Sequence, residues 1–349
     1  MRKIARHLLQ KYQHRRFHSG HNTSAFTILK GIEAVKGRTD PKLIKQADAY
    51  AEATFGWKGY APWLYVYTAI NQTFKEGWIP DNYYGEIVVP KIKGKYGAIA
   101  NYNALTGHLF NASCFPVSAY YVNGLWLSPE YKILSDQEVT AIALEASEKI
   151  VYKLDNSLQG IGVYFIDKHT FDIDTLKKMG NGVMQRYIKQ HPFFDSIIPN
   201  SVATLRVTTV INDQGIISVR ACYLRVGRST DTHVKSSSHI RIPVDTTTGL
   251  LDTFGYTTAW LQTPVHPDTN FIFENQQVPN LEECIATAKI LHKRVPFARA
   301  IGWDMIVNSD NKVQVMEWNG NHNDIKFSEA TQGPCFSDLG WEKLRRKTN

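Results

Sequence analysis

Apolar positions in this chain recur at two spacings. Near the C-terminus, Leu281, Cys284, Ile285, Ala288 and Leu291 repeat at the period of a helix with one buried face, opened by Pro279-Asn280 and ended at Val295-Pro296. Most other regular stretches alternate with a period of two, in runs rich in β-branched and aromatic residues. Strands are expected at Thr204–Asn212 and Ile216–Val226 around a three-residue loop, Asp213-Gln214-Gly215, and at Ile240–Asp245. Two more, Gly302–Ser309 and Lys312–Asn319, flank Asp310-Asn311, a pair that tolerates the positive φ of a two-residue hairpin loop. Earlier in the chain, Asp40-Pro41 starts a helix through Ala53, and Ser135 and Glu138 have capping-box spacing ahead of a helix reaching Glu148. Short strands are expected at Glu86–Pro90 and Tyr120–Trp126, with a helix or turn around Asn103–Phe110.

The 302–319 hairpin carries the most pointed chemistry. With that loop, Asp304 lies opposite Glu317, and Asn319 shares their face because side chains alternate along a strand. Two carboxylates at cross-strand distance, roughly 5 Å between Cβ atoms, repel each other. A divalent cation turns that repulsion into a binding site, and all-oxygen donors of this kind suit Mg²⁺. The plain alternative is an exposed hairpin whose carboxylates point into water.

Two other segments offer anion-binding groups. Lys149–Lys153 reads as a strand that runs through LDNSLQGIGVYFI into a second one, so the glycine-containing loop can close over phosphates with Lys153 as a point charge. An ordinary β-turn explains Gly160 and Gly162 equally well. In the 204–226 hairpin, Arg206 and Arg220 share a face, while Arg225 points to the other unless a bulge intervenes. Arginines among strongly apolar neighbours suit a phosphate or carboxylate clamp, although a solvated edge is the competing reading. The aromatic run Phe55–Tyr84 is packing material or, alternatively, a platform for stacking sugar rings.

Composition narrows the partners. At 349 residues two or three lobes are expected, and no apolar run approaches the roughly 20 residues needed to cross a bilayer. The four cysteines are far apart in no ligand-spaced pairs, which suits a reducing compartment without structural zinc. A formal charge of +8 asks for an anionic partner: nucleotide, acidic glycan, nucleic acid or lipid headgroup. Zinc-finger and RNA-recognition signatures are missing, which sets nucleic acid aside. Part of the charge sits in Arg2, Lys3, Arg6, Lys11, Arg15 and Arg16, on a segment without a signal peptide's apolar core. It reads as a solvated helix of a cytoplasmic protein or, alternatively, as a contact with the inner membrane surface.

Taken together, the order of lysine strand, glycine loop, hinge-like Gln185–Ile188, arginine strands and an Asp with Glu-x-Asn on a hairpin resembles the ATP-grasp enzymes. QRYIKQHP (185–192), SVATLRVTT (201–209), ACYLRVG (221–227) and IGWDMIV through VMEWNGN (301–321) resemble the branch associated with sugar transfer. The resemblance implies an α+β ATP-grasp fold of three lobes, 1–95, 96–184 and 185–349, with ATP between the central and C-terminal lobes. It implies Lys153 on the nucleotide phosphates, Gln159, Gly160 and Gly162 in the covering loop, and Gln185, Tyr187 and Ile188 around adenine. Asp304, Glu317 and Asn319 then hold Mg²⁺, two ions being expected, while Arg206 and Arg225, with Arg220 on the same strand pair, neutralise the transferring phosphoryl group.

The implied activity is an ATP-dependent carboxylate–amine ligase acting on an acidic or amino sugar and an amino acid or amine in capsule or lipopolysaccharide synthesis. A kinase for a hydroxyl group and a non-catalytic nucleotide-binding subunit of a polysaccharide assembly complex are the alternatives. The sequence departs from the family pattern at Asn103, where a lysine is common, at Arg186 and Ala203, and in the 232–240 loop.

Overall fold

The structure, a computed structural model, describes residues 2–145, 149–157, 162–229, 234 and 238–345. It divides into two compact units, one of residues 1–94, 259–262 and 324–349, the other of 95–258 and 263–323.

The first unit is helical. It opens with a 35-residue helix, Arg2–Lys36. The next helix, Pro41–Phe55, is capped by the Asp40 carboxylate accepting the Lys42 N–H at 2.8 Å and stopped by Gly56 in the left-handed region. That terminal pair follows from the need to satisfy orphan N–H groups at one end and to leave the helix at the other. Tyr60, Trp63, Tyr67, Trp78, Tyr83 and Tyr84 are all 1 % exposed or less, so these rings are the unit's core and not a sugar platform. The strand expected at Glu86–Pro90 is instead a π-helical turn, Tyr84–Val88, running into a short helix, Val89–Ile92. Its β-branched residues go into helix because Val88, Val89 and Ile92 find an apolar interior on one side. Among the described residues no helix is long and apolar enough to cross a membrane.

The second unit holds two antiparallel sheets. The smaller contains β1 (Val117–Val122), β2 (Leu125–Leu127), β3 (Ile133–Leu134), β4 (Lys149–Leu154), β5 (Val163–Asp167) and β6 (Gly182–Arg186), in the order β3-β2-β1-β6-β4-β5. Ser135 and Glu138 form the expected capping box, each accepting from the other's backbone N–H, and start the helix Asp136–Glu145. That helix and Ile173–Met179 cover one face of the sheet, where Trp126, Ile150, Tyr152, Leu176 and Met184 are buried together.

The larger sheet contains β7 (Thr204–Ile211), β8 (Ile217–Val226), β9 (Ile240–Val244), β10 (Gly255–Tyr256), β11 (Gln262–Thr263), β12 (Ala300–Val307) and β13 (Val313–Asn319). Their order is β11-β10-β9-β8-β7-β12-β13. The helix Leu281–His292 lays the expected stripe, Leu281, Cys284, Ala288 and Leu291, on the main core with Leu205, Val207, Leu224 and Trp303. One face of this sheet is thereby closed by apolar packing. Its other face carries the charged residues.

Candidate active site

Reading across the strands gives that face as rows. Glu317 on β13 lies opposite Asp304 on β12, which lies opposite Arg206 on β7 and then Tyr223 on β8. In the next row Thr204 pairs with Arg225, and Arg225 with Arg241 on β9. On the other side stand Thr208, Gly302 and Asn319.

Two local irregularities make this possible. The β12–β13 loop is one residue longer than expected, because the Asn308 N–H donates to Lys312 O at 2.9 Å and the chain turns at Ser309-Asp310-Asn311, with Asn311 at φ 59°. That alone would shift the register by one. A bulge at Met316 restores it, so Asp304 still meets Glu317. A second bulge at Arg220, between the pairs Thr208–Ala221 and Thr209–Val219, turns β8 by one residue. It brings Arg225 onto the Arg206 face, correcting the expectation that an unbroken hairpin gives. Arg220 itself occupies that bulge.

The contacts sort the arginines by role. The Asp304 carboxylate accepts Arg206 Nε at 2.5 Å and Nη2 at 2.9 Å, a bidentate pair in which both residues are buried. Arg225 Nη1 stands 3.8 Å from the same carboxylate, and its Nε is a buried donor with no hydrogen-bond partner among the described residues. Arg206 thus spends most of its fork orienting Asp304, whereas Arg225 keeps donor capacity for another anion. Gly302 makes room for this arrangement, since a Cβ there would sit 3.1 Å from Arg206 Cδ and 3.2 Å from Asn323 Cβ.

Burial works against the Asp304 carboxylate, but Arg206 and Arg225, with Lys153, outweigh it and hold its carboxyl below the ordinary value. Glu317 goes the other way. Enclosure and then the Asp304 charge push its carboxyl up, with Lys153 opposing. Glu317 nonetheless keeps access to water while lining a cleft. It is ringed by protein without being sealed, so the Asp304 charge is the cause that water leaves standing. Glu317 accepts no hydrogen bond from any described residue. Asn319 turns its Nδ2 toward Gly302 O (3.2 Å) and Asp304 Oδ2 (3.4 Å), which leaves its carbonyl oxygen to face elsewhere.

The smaller sheet supplies the opposite wall. Lys153 and Gln185 sit on the β4–β6 face away from the Tyr152 core, paired with Val183 and Val151 respectively. Lys153 Nζ donates to Met316 O at 3.1 Å, placing the ammonium at the bulge beside Glu317. Burial pulls the Lys153 pKa down, while Glu317 and Asp304 draw it back. A shallow cleft, open to solvent, is lined by Asn103, Val183 and Gln185 on one side and Met316, Glu317 and Trp318 on the other. Asn103, at the position where a lysine was expected, binds the end of β4 instead, its Nδ2 donating to Leu154 O at 3.4 Å. Tyr187 and Ile188 follow β6, the first half-buried against Phe165 and the second packed on the main core. Gly162, at φ 82°, closes the described end of the glycine loop, its carbonyl accepting from Leu154 N at 3.0 Å. Gln159 and Gly160 lie outside the described residues, as does most of the 232–240 loop.

Arg241 escaped the sequence reading. It is 6 % exposed in a strand whose five residues are all buried, and an arginine alone among Ile240, Ile242, Pro243 and Val244 was the available signal.

Asp304, Glu317 and the Asn319 carbonyl form a set of hard oxygen donors, with Glu317 unengaged and Asp304 shared with Arg206. The set fits Mg²⁺.

No curated protein matches the sequence. Solved structures that resemble it include the ATP-grasp ligase PsnB with its minimal precursor, at 12 % identity and TM-score 0.42, covering 73 % of this chain and 63 % of that one. N5-carboxyaminoimidazole synthetase from Staphylococcus aureus with ADP is similar at 10 % identity and TM-score 0.42, covering 67 % and 48 %. L-amino acid ligase from Bacillus licheniformis is similar at 11 % identity and TM-score 0.39, covering 70 % and 48 %. The chain spans between about half and less than two thirds of the length of these structures. The family model for sugar-transfer associated ATP-grasp matches residues 166–338, a stretch that contains β6 to β13 with the arginine strands and the carboxylate hairpin. By that match residues 166–338, just under half of the chain, form a sugar-transfer associated ATP-grasp domain.

Proposed function

We propose that this protein is an ATP- and Mg²⁺-dependent carboxylate–amine ligase. The observation that carries the reading is a pair of adjacent rows on one sheet face, Arg206, Asp304 and Glu317 beside Arg225 and Arg241, with Lys153 reaching them from the facing sheet. A cluster of three arginines beside two carboxylates stabilises no fold cheaply, since desolvating charges costs several kcal/mol each. It suits a nucleotide triphosphate whose phosphates meet cations and whose metal meets carboxylates.

In this reading a substrate carboxylate oxygen attacks the γ-phosphorus of ATP, the bond to the β-bridging oxygen breaks, and ADP leaves. The acyl phosphate is then attacked at carbon by an amine, phosphate departs, and the nitrogen loses a proton to give the amide. Phosphoryl transfer of this kind is mainly a matter of positioning and charge stabilisation. Lys153 holds the nucleotide phosphates, and Gln185, Tyr187 and Ile188 border the base. Arg225 and Arg241 meet the transferring group, while Arg206 keeps Asp304 aimed across the ladder. Asp304, Glu317 and Asn319 would hold Mg²⁺, as two ions, which supply Lewis-acid charge when bound.

The family's association with sugar transfer supports an acidic or amino sugar as one substrate and an amino acid or amine as the other, in surface-polysaccharide synthesis. The central experiment incubates the enzyme with MgATP, uronic acids or amino sugars, and amino acids. ADP release that depends on both substrates, with an amide found by mass spectrometry, is expected. A stable phosphate ester would make the protein a kinase, and nucleotide binding without turnover would make it a binding subunit.

A further inference from the structure

A second cluster lies in the helical unit, among residues the ATP reading does not use. His14 and His18 are four residues apart on the helix Arg2–Lys36, so both rings leave the same side. They meet Glu86, presented by the π-helical turn Tyr84–Val88, a local distortion of a kind that recurs at functional sites. His14 Nδ1 stands 2.6 Å from Glu86 Oε1, and His18 Nε2 stands 3.0 Å from Oε2. Tyr60 donates its hydroxyl to the same Oε2 at 2.5 Å, and Trp57 packs on both imidazoles at 5.5 and 4.6 Å between ring centres.

We infer that His14, His18 and Glu86 form a site for a zinc-class divalent cation, bound by two imidazole nitrogens and one carboxylate with a further position open. The three ligand atoms lie within 4.8 Å of one another. Ligands about 2.0–2.2 Å from a tetrahedral zinc are separated by about 3.3 Å, so the set needs only a modest adjustment, His14 Nδ1 easing away from Glu86 Oε1 (2.6 Å) and the wider spacings, none above 4.8 Å, closing in. His14, with 45 % of its side chain exposed, has the freedom to move, while His18, at 5 %, is the fixed ligand. Two nitrogens and one oxygen favour zinc or a neighbouring transition ion over Mg²⁺ and Ca²⁺, which require oxygen. No cysteine takes part, which is why cysteine spacing gave no sign of it; the signal was His-x-x-x-His in the basic N-terminal helix.

The surroundings supply supporting contacts of the kind metal ligands use. Tyr60 fixes the Glu86 carboxylate. Asn82 lies 3.3 Å from the second ring nitrogen of His18, and its buried Oδ1 has no hydrogen-bond partner among the described residues. A metal-bound His18 carries a proton on Nδ1 and needs such an acceptor. Turning the Asn82 amide presents Oδ1 to that proton, in exchange for the present bond from Nδ2 to Gly59 O.

The test uses the full chain in excess Mg²⁺, which occupies the oxygen sites, and titrates Zn²⁺ from a metal buffer while melting is followed in parallel. One zinc per chain is expected, with a rise in Tm, because a ligand that binds only the folded state stabilises it. Cobalt in place of zinc should give visible absorption bands. His14→Ala, at a half-exposed ring whose loss the fold tolerates, should weaken zinc binding at least about tenfold and abolish the Tm shift. Glu317→Gln should change neither. The inference is overturned if no stoichiometric zinc binds, or if His14→Ala binds it as wild type does, which would leave a hydrogen-bonded knot only. Loss of zinc in Glu317→Gln but not in His14→Ala would assign the ion to the other site and overturn it equally.

Discussion

On one face of β12 stand Ile301, Trp303 and Met305, all fully buried; on the other stands Asp304 between Arg206 and Glu317. The two faces alternate along the same strands, yet they hold together by opposite means. The apolar face gains from every atom removed from water, and Trp303 adds stacking on Trp318 at 6.4 Å and an indole N–H donated to Thr209 Oγ1 at 2.8 Å. The charged face gains only where partners match. Asp304 is satisfied twice over, while Glu317 has a repelling neighbour and no donor among the described residues. The difference separates the residues whose burial holds the fold from those whose charge it leaves unmatched.

Removing Trp303 tests the apolar side most heavily. Trp303→Ala should cost about 3–5 kcal/mol in a denaturant melt, from lost burial and the cavity left behind. Arg206→Met should come next, losing about 3 kcal/mol, because it leaves Asp304 as a buried unpaired charge. The double variant Arg206→Met with Asp304→Asn should recover most of that loss. Failure to recover would mean that Arg206 stabilises by packing, and the contrast between the faces would weaken.

How far the sequence reaches also divides along this line. Periodicity located the strands, the helix Leu281–His292 and the Asp40 and Ser135 caps, because each depends on residues within one turn or one hairpin. The side on which Arg225 stands depends on the Arg220 bulge, where β8 gains a residue against β7, and no local preference announces that. The hairpin pairing of Asp304 with Glu317 was reached through a loop one residue too short and a bulge unforeseen, two shifts that cancel. At Glu86 the β-branched neighbours read as a strand, while packing against the helical unit made a π turn. Arg241 was passed over because its role depends on a cross-strand partner 16 residues away, Arg225.

Smaller effects sharpen the charged side. Without metal, Glu317→Gln should leave stability unchanged or raise it by up to about 1 kcal/mol, the scale of a cross-strand repulsion. The sign with pH follows from the raised Glu317 carboxyl: its contribution is complete below the unfolded-state value and is lost as pH rises through the folded one. The advantage of Glu317→Gln over wild type should therefore be absent in acid and open as pH climbs past the ordinary glutamate range. Asp304, held low, contributes in the opposite sense, so its stabilisation should fade as acid is added through its folded value. Paired melts from pH 3 to 8, about the range over which carboxylates titrate, read both. Asn319→Ala, which changes no charge, should show the smallest stability change of all and no pH dependence.

The most direct measurement is calorimetric titration of ATP into wild type and Glu317→Gln, each with Mg²⁺ and with a chelator. The account predicts that Mg²⁺ tightens ATP binding at least about tenfold in wild type, or about 1.4 kcal/mol, and that Glu317→Gln erases the difference while melting normally. A variant that keeps the full Mg²⁺ dependence would contradict the assignment of the hairpin carboxylates to the metal.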